Sequence, residues 1–61
     1  MPFRIYKVQS NAGLHFVEAA QTFDDATALV RGLGELWPGE YVIHNEETGE
    51  RVRIRVSPKT R

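Results

Sequence analysis

The sequence predicts an α+β domain in which two β-hairpins flank a single helix, in the order ββαββ. Three observations carry this reading. Four short runs rich in β-branched and aromatic residues are spaced along the chain, and turn-forming residues join them in pairs. Between the pairs lies one stretch of helical apolar spacing with its own N-cap signal. At 61 residues the chain has room for one domain, read as residues 1–56. The tail at 57–61, "SPKTR", has nothing to bury and is expected to be loose.

Each element has its own local justification. "FRIYKVQ" (3–9) reads as the first strand. "SNAG" (10–13) supplies Asn11 for a turn, and Gly13 is expected to take the left-handed conformation that closes a short hairpin. "LHFVEAA" (14–20) is the return strand. Thr22, followed three residues later by Asp25, forms an N-cap pattern close to a capping box, with Asp in place of Glu or Gln. Asp24 and Asp25 also place negative charge at the positive end of the helix dipole. Ala26, Leu29, Val30 and Leu33 then recur at helical spacing, with Leu36 or Trp37 continuing the stripe. Pro38-Gly39 stops the helix, which should run from Phe23 to Leu36. "EYVIHN" (40–45), the turn "EETG" (46–49) with positive φ at Gly49, and "ERVRIRV" (50–56) complete a second hairpin.

A helix joining two hairpins carries the chain back along the sheet, so the third strand should run parallel to the second through a right-handed crossover. Two strand orders then place the helix across one face. The order 2-1-4-3 makes the terminal strands parallel neighbours in the centre and is preferred. The alternative, 2-1-3-4, is antiparallel throughout. In its opening "MPFRIYKV", its single helix carrying "DDATALV" and its aromatic third strand "EYVIHN", the chain resembles small β-grasp domains, the immunoglobulin-binding bacterial domains being the nearest in size. The resemblance spans residues 1–56 but lies in element order and loop length. It implies a fold and no binding residues.

The net charge is zero, yet the charges are segregated. All eight acids lie between Glu18 and Glu50, with Arg31 the only base among them, and Arg51, Arg53, Arg55, Lys59 and Arg61 follow. In an extended chain Arg51, Arg53 and Arg55 fall on one face and Val52, Ile54 and Val56 on the other. The apolar set should face the helix, because an unpaired arginine row cannot be buried. With Phe3 and Ile5 facing in, Arg4, Tyr6 and Val8 face out. In the preferred order they lie beside the arginines. Tyr6 and Val8 with Tyr41 or Val42 would give this face an apolar part. The candidate binding residues are therefore Arg4, Tyr6, Lys7, Arg51, Arg53 and Arg55. The plainer reading is that the arginine row is a solvated strand face paired across to acids such as Glu18.

Several chemistries have no foothold. Without cysteine there is no disulfide, thiolate zinc site or cysteine nucleophile. His15 and His44 alone fall short of a metal ligand set, and no metal or other cofactor is expected. Gly32 and Gly34 end a helix where a phosphate loop would open one. Ser10 and Ser57 lack a nucleophile-elbow context. No apolar run approaches a membrane span, and "MPFRIYKVQS" lacks the features of a signal peptide, so a cytoplasmic chain is the expectation. The favoured expectation is a non-catalytic protein-interaction module acting through its open sheet face or an edge strand, with self-association as one form. The runner-up is a nucleic-acid-binding module using the basic face.

Overall fold

A computed structural model describes residues 2–57. The expected loose tail falls, apart from Ser57, on residues 58–61, outside the described residues. The elements are β1 (Phe3–Val8), β2 (Leu14–Ala20), α1 (Phe23–Leu36), β3 (Gly39–Asn45) and β4 (Arg51–Val56). The ββαββ layout is as expected, and α1 occupies the expected span. Its N-cap is Thr22, whose Oγ1 accepts from the Asp25 N–H at 3.0 Å. It ends where the Trp37 N–H donates to the Leu33 carbonyl at 2.7 Å, one residue before Pro38.

The four strands form one sheet in the order β2-β1-β3-β4, and every neighbouring pair is antiparallel. This is the alternative of the two orders. The preferred 2-1-4-3, with β1 and β4 as parallel neighbours, is not formed, and the likeness to β-grasp domains ends at element order. The physical reason lies in burial on two faces. Tyr41, Val42 and Ile43 are consecutive and all nearly fully buried, at 0%, 4% and 1% exposure. Consecutive side chains point to opposite faces, so only a central strand buries three in a row. β4 alternates charge with β-branched residues, a composition that keeps an edge strand soluble.

One face of the sheet carries α1. The core between them consists of Ile5, Ala20, Ala26, Val30, Tyr41 and Ile43, with Phe3, Val17, Leu33, Ile54 and Val56 packed around it. The helix stripe is rotated from the expected one. Ala26, Val30 and Gly34 are buried, whereas Leu29 is 36% and Leu36 91% exposed. Leu36 is thus no part of the core, and Leu29 is not among the side chains packed around it. Gly34 shows why. A Cβ there would fall deep inside contact distance of the Val56 side chain, so the missing side chain lets α1 settle on β4. At Gly32 a Cβ would meet nothing within 4 Å.

The hairpin loops divide in the same way. Gly49 has φ of 81°, as expected, and its N–H donates to the Asn45 carbonyl at 2.7 Å. In the first loop the left-handed residue is Ala12, at φ 69°, and not Gly13. The Gly13 N–H instead donates to Asn11 Oδ1 at 2.9 Å, which fixes the turn one residue earlier than the sequence suggests.

Two stability predictions follow from these glycine and alanine positions. Gly34→Ala should destabilise by about 1–3 kcal/mol through overpacking, while Gly32→Ala should stabilise by up to about 1 kcal/mol through helix propensity. Urea unfolding of both variants reads the difference, and equal effects would mean that α1 does not seat on Val56. Ala12→Gly should also stabilise. Relief of the left-handed strain, about 1–2 kcal/mol, exceeds the added chain entropy. A lower melting temperature for that variant would refute the assigned loop.

Candidate functional site

Strand register determines what shares the face away from α1. Arg4, His44 and Arg51 lie in one cross-strand row, and Tyr6, Val42 and Arg53 in the next. β2 adds Phe16 opposite Tyr6 and Leu14 opposite Val8. Five of the six candidate residues therefore share this open face. The sixth, Lys7, is on the other side, only 9% exposed, and pairs with Tyr41 across β1–β3.

Lys7 is placed there by strand parity. It follows Ile5 by two residues and so points the same way. Its Nζ lies 5.0 Å from the Trp37 ring centroid and 5.8 Å from that of Tyr41, and donates to the Val8 carbonyl at 3.2 Å. His15 meets the Trp37 ring edge-on at 6.0 Å. Gly39, at φ 143°, leaves room for the lysine, because a Cβ there would approach Nζ to 2.7 Å. The Tyr41 hydroxyl donates to the Trp37 carbonyl just past the helix end. Burial pushes the Tyr41 phenol above its ordinary pKa. This corner ties the helix C-terminus to the sheet, and Lys7 is a structural residue within it.

The arginines of β4 are not beside Arg4 and Tyr6, as the preferred strand order required. β3 stands between, so the two groups are separated by two strand spacings, about 10 Å. Most of the cations are also engaged. Arg53 pairs with Glu40 at 2.9 Å, Arg4 pairs with Glu46, and the Arg51 Nε donates to His44 Nδ1 at 3.1 Å. Arg55 has no carboxylate partner among the described residues. The plainer reading of a solvated row paired to acids fits Arg53, with Glu40 in the place suggested for Glu18.

The apolar part of the face is larger than the sequence suggests. Leu14 and Phe16 are 45% and 47% exposed on β2. Phe16 packs edge-on against Tyr6 at 5.9 Å, and the Arg4 guanidinium lies 5.6 Å from its ring centroid. Tyr6, Leu14, Val42, His44, Glu46 and Arg51 line a shallow depression of about 260 Å³. Leu14 and Phe16 are absent from the residues that the sequence singles out. Their i, i+2 spacing was a signal, but β2 carries a register irregularity opposite Ile5–Tyr6. That shift puts Val17 and Ala20 on the core side, a spacing of three that simple alternation misreads.

Among the described residues no group of three or more His, Asp or Glu is placed to hold a metal. No helix among them is long and apolar enough to cross a membrane. Compared with protein-family models, with curated proteins and with solved structures, the chain has no match.

The Tyr41 corner generates a pH prediction. The unfolded chain releases the Tyr41 proton near pH 10.0, while the folded chain holds it to higher pH. Its contribution is therefore fully present below pH 10 and is lost as pH rises through the folded value. Tyr41→Phe should cost about 1 kcal/mol at neutral pH through the lost hydrogen bond. The gap to the parent should narrow above pH 10, read by urea unfolding across pH 8 to 11. A gap that widens would contradict the buried phenol.

Proposed function

We propose that the protein is a non-catalytic interaction module whose open sheet face docks another protein. The observation that carries this reading is the pair Leu14 and Phe16, each about half exposed, with Leu14 lining a shallow depression and Phe16 packed against Tyr6, which also lines it. An apolar centre with aromatic rings, bordered by arginines, has the composition of a protein-binding patch. The partner that fits is a protein surface presenting an apolar projection, with carboxylates positioned for Arg51 and Arg55.

Nucleic acid is a poorer fit. Phosphate binding draws on free cations, and here Arg4 and Arg53 already hold Glu46 and Glu40. Base stacking draws on open ring faces, and Arg4 lies over that of Phe16. A second copy is also a poorer fit across this face. A two-fold axis parallel to the strands sets Leu14 and Phe16 against the other copy's arginine strand. An axis running across the strands sets arginine on arginine.

An amide-resolved titration with short mixed-sequence single- and double-stranded oligonucleotides, at low and then physiological salt, tests the first contrast. The open face is expected to stay unshifted at physiological salt. Salt-sensitive shifts on Tyr6, Phe16 and β4 would replace this reading by the nucleic-acid one. The direct test uses a photo-crosslinking residue at position 16, with position 32 on the outer side of α1, where a side chain meets nothing within 4 Å, as control. A protein captured only from position 16, then purified, should lose about tenfold or more in affinity on Phe16→Ser. Equal capture from both positions, or unchanged affinity, would overturn the docking face.

A further inference from the structure

We infer that the free edge of β4 takes up an extended peptide as a fifth strand, and that the peptide alternates acidic and apolar residues. The inference rests on the module acting by binding, but it concerns the edge and not the open face.

β4 is the last strand of the sheet and pairs only with β3. The Asn45 N–H donates to the Glu50 carbonyl at 2.8 Å, and these two residues continue the β3–β4 register. Hydrogen-bonded and non-bonded pairs alternate along an antiparallel ladder. Val52, Ile54 and Val56 therefore direct their amide and carbonyl groups to β3. Those of Arg51, Arg53 and Arg55 point outward, a row of three donors and three acceptors along a regular edge.

The side chains specify what would bind. On the open face an added strand would run beside three guanidinium groups, of which only Arg53 has a carboxylate partner among the described residues. Every second residue of the incoming strand then suits Glu or Asp. On the helix side α1 leaves β4 incompletely covered. Val52 is 38% exposed and borders a cavity of about 240 Å³ with Phe3 and Phe23. At the other end of the strand, Val56 and Gly34 border a second one of about 480 Å³. The intervening residues of an added strand would lie over this flank, with apolar side chains at either end reaching the two cavities. Backbone bonds supply affinity and the alternate side chains supply specificity, as in other strand additions.

The chain itself offers no such strand. Antiparallel pairing of β4 with a second β4 sets arginine against arginine. The other edge, β2, contains a single acid, Glu18, and its register irregularity interrupts a regular ladder. The complementary charge therefore comes from a different chain.

A synthetic peptide in which Glu and Val alternate over six residues, with short soluble flanks, is the probe. Its Lys/Val counterpart is the control. Titrated into isotope-labelled protein, the acidic peptide should shift β4 amides and slow hydrogen exchange at Arg51, Arg53 and Arg55. The Lys peptide should not, and added salt should weaken the acidic complex. A chain of this length is accessible to chemical synthesis, so the decisive variant is N-methylation of the Arg53 amide. It removes one outward donor and keeps every side chain. Binding should fall by about tenfold or more.

Unchanged affinity after N-methylation, or equal binding of the Lys peptide, would overturn strand addition. Shifts confined to Tyr6, Leu14 and Phe16 would overturn it while leaving the open-face reading intact. Loss of docking in Phe16→Ser with undiminished peptide binding at β4 would keep the two surfaces separate.

Discussion

The structure depends on the central position of β3. Tyr41, Val42 and Ile43 need cover on both sides of the sheet, and only a strand with neighbours on each edge receives it. Once β3 lies inside, β4 is left at the edge because a turn of a few residues allows it no other place than beside β3. The arginine row then falls at the border of the sheet, where guanidinium groups remain hydrated and blunt unwanted pairing. Had β4 occupied the centre, Arg4 and the β4 arginines would have been neighbours across the ladder, with repulsion along its length.

The helix is seated by contacts at its two ends. At the N-terminus Thr22 caps the first turn, and Phe23 meets Phe3 with ring centroids 6.2 Å apart. At the C-terminus Gly34 rests on Val56, and the Trp37 carbonyl receives the Tyr41 hydroxyl. Lys7 fills the remaining corner between two rings, with its ammonium group bonded to a main-chain carbonyl. A buried amine costs stability unless it is satisfied. Here the aromatic faces and one hydrogen bond offset that cost, and the aliphatic stem adds apolar cover.

Much of this was legible in the sequence, and what was not has identifiable causes. Thr22 and Asp25, Pro38-Gly39 and the "EETG" turn act locally, within one turn of helix or hairpin, so their readings hold. Strand order is a non-local property. Its signal was present in the contrast between the unbroken "YVI" and the strictly alternating "RVRIRV", but a resemblance of element order outweighed it. The helix face differs from the apolar stripe because Gly34, which carries no hydrophobic signal, is the contact point with Val56. Lys7 was assigned by its charge and not by its parity with Ile5. Leu14 and Phe16 were hidden by the irregularity in β2, which breaks the period on which facing is judged.

The corner around Trp37 has a consequence for how the molecule is observed. This is the single tryptophan of the chain, and its ring stands beside an ammonium group and an imidazole. Its emission therefore reports the seating of the helix end. The indole and the open sheet face lie on opposite sides of the sheet. A ligand settling on Phe16 would leave the fluorescence nearly unaltered, whereas a loosening of the helix would change it at once. Intrinsic fluorescence thus separates loss of the fold from occupation of its open face without any added label.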